Sequence, residues 1–109
     1  MSDPGFYRGR HYTEYVEVVQ DLKRHNDLDE AEKLLFSLVA ATETESRVKN
    51  WGVAPWYYEQ LAIIYRQKQE LREELRILER LSKQQHAPGD KPAKLLERLK
   101  KLRAELAAD

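Results

Sequence analysis

The sequence predicts an all-α fold of about five helices paired into antiparallel hairpins, and three observations lead there. Charged residues make up 35% of the chain and apolar ones 41%, with only four Gly and four Pro. That composition suits helices, since Glu, Lys, Arg, Leu and Ala lose little rotamer freedom in them. Apolar residues recur at helical spacing in separate stretches, closed by breakers at His25-Asn26-Asp27, Trp51-Gly52 and Pro88-Gly89. Both Trp and three of the six Tyr fall within WGVAPWYYEQLAIIYR, Trp51 to Arg66, which marks the centre of the core and, through Gly52 and Pro55, a chain reversal. A chain of 109 residues is one domain.

Residues 1–10, with Pro4, Gly5 and Gly9, are expected to form an irregular arm that only Phe6 and Tyr7 tie down. From His11 to His25, the residues Tyr12, Tyr15, Val16, Val18, Val19 and Leu22 predict the first helix. Asn26 or Asp27 should cap the second with a side-chain oxygen, and Glu30 is placed to reach back. The second helix carries Leu28, Ala31, Leu34, Leu35, Leu38 and Val39 on one face and an Asp29–Lys33 pair one turn apart. No breaker interrupts it before Trp51-Gly52, so it runs to about 22 residues, roughly twice the usual length, and its end after Thr42 is expected to protrude or bend. Gly52 suits a left-handed C-terminal cap.

Pro55 belongs in the first turn of the third helix, where its missing amide hydrogen costs nothing. Trp56, Tyr58, Leu61, Ala62, Ile64 and Tyr65 give that helix a face broad enough to be packed on two sides. After a polar break at Gln67 to Glu70, Leu71, Leu75, Leu78 and Leu81 predict a fourth helix ending near Gln85. His86-Ala87-Pro88-Gly89 is a break. Asp90 then caps a fifth helix, with Pro92 in its first turn and Leu95, Leu96, Leu99, Leu102 and Leu106 as a narrow stripe. The domain, 11–109, thus divides into 11–49, 55–86 and 90–107.

The residue inventory argues against several classes of function. Net charge is zero, although residues 1–65 hold seven Lys and Arg against eleven Asp and Glu, and residues 66–109 hold twelve against eight. Such a difference between halves is ordinary for solvated helix surfaces. Without Cys there is no disulfide, thiolate site or cysteine nucleophile. No signal peptide and no spanning segment are predicted, which gives a cytoplasmic expectation without membrane contact. His11, His25 and His86 do not match a metal-binding or catalytic spacing, and four scattered Gly form no phosphate loop. His86 is read as a favourable charge at the end of the fourth helix. Glu14 with Glu17 and Glu43 with Glu45 are read as solvated carboxylates. Tyr7, Arg8, Arg10, His11 and Tyr12 make a basic-aromatic patch too weakly charged for strong phosphate binding, which disfavours nucleic acid. No metal, cofactor or catalytic residue is expected, and the protein is not expected to be an enzyme.

The two helix pairs can be laid over each other, and there the chain resembles a tetratricopeptide repeat (TPR) protein. In the second pair, Trp56, Tyr58, Leu61, Ala62 and Tyr65 resemble the family's first repeat helix, and Leu71, Leu75 and Leu78 its second. In the first pair the matching residues are Tyr15, Val18, Val19 and Leu22, then Leu28, Ala31, Leu35 and Leu38. Two departures stand out. Glu74 occupies the place of the small residue Ala31, so its contact must be looser or shifted in register. The interval between them is 43 residues, against roughly 34 in the family.

The resemblance implies a right-handed αα superhelix, with the last helix as its cap, and a scaffold that binds a peptide or protein segment in a groove. Groove candidates carried over by helix face are Thr13, Gln20, Lys23 and Arg24 on the first helix and Trp56, Gln60, Ile63 and Arg66 on the third. The cations among them suit an acidic or mixed partner. The alternative is a self-associating structural protein, a homodimer joined through the Leu95 to Leu106 stripe as a short coiled-coil seam. Trp51 has no assigned role in either.

Overall fold

A computed structural model describes residues 3 to 108, so Met1 and Ser2 of the expected arm, and Asp109, lie outside the described residues. The all-α class holds: α1 (Val16–Arg24), α2 (Leu28–Lys49), α3 (Trp56–Gln67), α4 (Leu71–Ser82) and α5 (Lys91–Ala107) are joined to a small N-terminal sheet. Each helix packs on the one before and the one after it, as in a linear stack. The radius of gyration is 14.0 Å, slightly above the roughly 13 Å of a compact chain this long.

The arm expected to be irregular contains a hairpin. Strands β1 (Phe6–Tyr7) and β2 (Arg10–His11) pair antiparallel, with Phe6 opposite His11. Arg8 and Gly9 turn the chain with φ of 50° and 83°, and two positive φ values match the twist of a tight hairpin. A left-handed arginine is uncommon, which is why the composition did not betray the turn. The first helix also begins differently from expectation. Tyr12–Tyr15 is a tight 3-10 turn, and its capping residue is His11, whose side chain accepts from the Thr13 amide while Glu14 reaches back to the His11 amide.

Several expected terminal contacts are replaced by longer-range ones. Neither Asp27 nor Asp90 makes a side-chain cap, although each precedes its helix. Asp29 pairs with Lys68, just past the end of α3, at 2.6 Å, not with Lys33, which lies 3.6 Å from Glu30. The left-handed cap of α2 is Asn50, φ 57°, whose amide donates to Ser46 O. Gly52, φ 91°, has another duty. A Cβ there would lie 2.4 Å from both Ala87 N and His86 C, because the turn before α3 runs against the loop after α4. Val53 N donates to Gln85 O at 2.8 Å, and Ala87 N to Val53 O at 3.3 Å. His86 lies beyond the end of α4, with Nε2 2.8 Å from Leu81 O, so it closes a helix carbonyl from outside.

The end of α2 does not protrude. Ala41, Thr42, Glu43, Glu45 and Ser46 are all buried, between the hairpin and the α3–α4 pair. Glu43 and Glu45 are therefore not on a solvated face. Glu43 accepts from Tyr58 Oη at 2.7 Å and, through both oxygens, from Arg80 Nε and Nη2 at 2.8 Å each. Burial, reinforced by that carboxylate, pushes the Tyr58 hydroxyl far above its usual range, so it stays a donor. Glu45 Oε2 meets His11 Nε2 at 2.6 Å, which clamps β2 onto α2.

Glu74 is fully buried. Arg98 of α5 donates from Nε to its Oε2 at 2.8 Å and from Nη2 to Ala62 O at 3.3 Å. Arg66 Nε of α3 lies 2.9 Å from Oε1, off the N–H axis, so this second contact is coulombic. The position expected to make a looser or register-shifted contact holds a charge between two guanidinium groups. Around these polar nodes one apolar core runs from Val19, Ala31 and Leu35 through Tyr58, Leu61 and Ala62 to Leu78, Leu99 and Leu102. Each fully buried leucine contributes about 2 kcal/mol by transfer from water. The leucines of α5 are spent on this core, with Leu95, Leu99 and Leu102 covered within the chain.

Replacing Glu74 by Gln leaves the Arg98 guanidinium without a counter-charge and Arg66 with Glu105 alone. Glu74→Gln should lower unfolding stability by about 2–3 kcal/mol in urea titration while leaving the helical circular dichroism of the folded state unchanged.

Candidate functional site

Helical spacing puts Gln20, Lys23 and Arg24 on one face of α1, and Trp56 and Gln60, one turn apart, on one face of α3. The fold turns these two faces toward each other. Together the five residues line a groove of about 440 Å3. The Lys23 ammonium donates across it to Gln60 Oε1, and Tyr57 Oη donates to Tyr12 O at 3.3 Å, which ties α3 to the turn before α1. The Trp56 ring meets Tyr57 edge-on at 5.0 Å, and Tyr57 meets Tyr12 in the same way at 5.2 Å. Trp56 is thereby braced by buried aromatics while its own ring is only partly covered.

The charges of the groove differ in their partners. Arg24 forms an ion pair with Asp21 on its own helix. Glu59, the nearest acid on α3, is neutralised by Lys91 of α5 at 2.7 Å. Among the described residues, the hydrogen-bond partner of Lys23 is the neutral amide of Gln60. Burial pushes its ammonium below the ordinary lysine range, partly opposed by the charge of Glu59.

Three of the eight residues expected to line the groove lie elsewhere. Thr13 belongs to a cleft of about 670 Å3 lined also by Phe6, His11, Tyr12, Glu45, Lys49 and Trp51. Ile63 is partly buried and does not line the groove. Arg66 sits toward the end of α3, where it contacts Glu74 at 2.9 Å and Glu105 at 3.3 Å. It looked like a groove cation because periodicity reports the face of a helix but not what a later helix lays against it. Those carboxylates raise its pKa, the Glu105 hydrogen bond foremost.

Trp51 is half exposed in the Thr13 cleft, with Lys49 Nζ 4.7 Å from its ring centroid. The Thr13 hydroxyl lies 2.8 Å from His11 Nδ1. No spacing signal links His11 to Glu45, 34 positions on. Among the described residues no group of three or more His, Asp or Glu is placed to hold a metal, and no helix is long and apolar enough to cross a membrane. Comparison of the chain with protein-family models, curated proteins and solved structures finds no match.

The two cations should separate in a stability assay. Arg66→Gln should cost about 1–2 kcal/mol, because it leaves Glu74 half-compensated. Lys23→Gln should change stability by less than about 0.5 kcal/mol. Chemical denaturation of both variants measures the contrast.

Proposed function

We propose that this chain is a TPR-like interaction module that holds a peptide or protein segment in the groove between α1 and α3. One observation carries the reading. Five of the eight residues carried over from the TPR resemblance by helix face, on two helices far apart in sequence, line a single groove with an aromatic wall and, among the described residues, an uncompensated cation. Grooves of this kind, with an aromatic anchor beside a few placed polar groups, are where binding energy concentrates.

The architecture supports the comparison with TPR arrays. Helices pack on their sequence neighbours. Contacts of Glu59 with Lys91, Ala62 with Arg98, and Arg66 with Glu105 advance together, so α3 and α5 run parallel, as first helices of successive repeats do. α5 takes the capping role, covering the end of the stack with Leu95, Leu99 and Leu102 and presenting polar residues outward. A right-handed superhelix follows from this reading. Self-association is the weaker alternative, since Leu95, Leu99 and Leu102 of the seam that would join two copies are covered within the chain.

The test uses the purified full chain as bait, compared with the Lys23→Glu, Arg24→Glu double variant and with Lys100→Glu, a charge reversal on the exposed back of α5. Proteins captured by the wild type should be lost from the double variant, a weakening of about 2 kcal/mol or roughly thirtyfold, and kept by Lys100→Glu. Equal capture by all three chains contradicts the proposal.

A further inference from the structure

Five Lys and Arg side chains among the described residues are partly buried: Lys23, Lys68, Arg80, Lys91 and Arg98. Four have a carboxylate in ion-pair contact. Lys68 has Asp29 and Glu32, Arg80 has Glu43, Lys91 has Glu59, and Arg98 has Glu74. Lys23 is the exception. No carboxylate among the described residues lies within 4.0 Å of it, and its hydrogen-bond partner is the Gln60 amide oxygen. The acids that would serve are engaged, Glu59 by Lys91 and Asp21 by Arg24. A cation stripped of part of its water and left without a counter-charge is under-solvated. A carboxylate brought to it gains a charge-assisted hydrogen bond without displacing an existing ion pair.

We infer that the α1–α3 groove binds an internal segment of a partner protein through an acidic side chain on Lys23, with a neighbouring apolar or aromatic side chain against Trp56. This rests on the groove being the partner site proposed above. Charge complementarity selects the acid, because Lys23 is the groove cation with no counter-charge. The aromatic wall selects the apolar neighbour, because Trp56 offers a partly covered ring held in place by Tyr57. The Gln20 amide and the remaining donor of Gln60 suit the main chain of a segment passing on both sides of the docked residue. That favours an internal residue over a chain terminus.

The test is a random dodecapeptide library, displayed at the N-terminus of a phage coat protein so that no peptide has a free carboxyl end, panned on the immobilised full chain. Recovered peptides should carry Asp or Glu beside a large apolar residue. They should shift the NMR signals of the Trp56 indole and the Gln60 side-chain amide when synthesised with both ends capped. Replacing the peptide acid by its amide should weaken binding about tenfold or more. Lys23→Gln should weaken the acidic peptide by a similar factor, and the two changes together should cost no more than either alone.

Peptides that shift Trp56 and Gln60 but lack an acid, or losses that simply multiply, overturn this inference and leave the groove as a binding site. Binding only when the peptide has a free carboxyl end overturns the choice of an internal residue. Peptides that leave both signals unmoved, or no enrichment over a blank support, overturn the groove reading as well.

Discussion

The carboxylate of Glu74 is the constraint on which the arrangement of the last three helices depends. A charge with no exposure to water is stable only where cations come to it, and here they come from two other elements, Arg66 on α3 and Arg98 on α5. Since a buried ion pair contributes little net stability relative to apolar packing, its effect falls on register. Sliding α5 along α4 by one turn would keep leucine against leucine but strand the charge. Glu43 acts similarly among α2, α3 and α4 through Tyr58 and Arg80. Glu45 fixes the hairpin to α2 through His11. Leucines and tyrosines make up most of the buried core, and three glutamates join the elements across it.

This division of labour explains what could be read from the chain and what could not. Local pattern carries helix identity: the Leu28 to Val39 face, the Trp56 to Tyr65 face and the stripe from Leu95 predicted helices close to those observed. Terminal details were less legible, because Asn50 and Gly52 both tolerate a left-handed conformation and only the fold decides which of them ends α2. Partners distant in sequence were the least legible. Composition cannot tell a buried glutamate from a solvated one, since what distinguishes Glu43 from Glu30 is an arginine 37 positions away. The same blindness hid the partners of Arg66, whereas Lys23, Arg24, Gln20, Trp56 and Gln60, carried over from the resemblance by helix face, line one groove because facing helices bring such faces together.

Polar residues thus serve two ends. Those with complete ion pairs hold helices together, and Lys23, the one partly buried lysine with no carboxylate partner among the described residues, faces an open groove. Because Glu59 is held by Lys91 of α5, the seat of the last helix also keeps that acid from closing onto Lys23. Structural ion pairing and the electrostatic character of the groove are therefore linked through α3.

The central claim, that Glu74 is a charged and buried node between Arg66 and Arg98, is tested most directly by the NMR signals of the arginine side-chain Nε–H groups. A bonded Arg98 should give a downfield Hε signal in slow exchange with water, which Glu74→Gln should shift and speed toward the behaviour of the exposed Arg72. An Arg98 Hε in the wild type that exchanges as fast as that of Arg72, or one that Glu74→Gln leaves unchanged, would contradict the account.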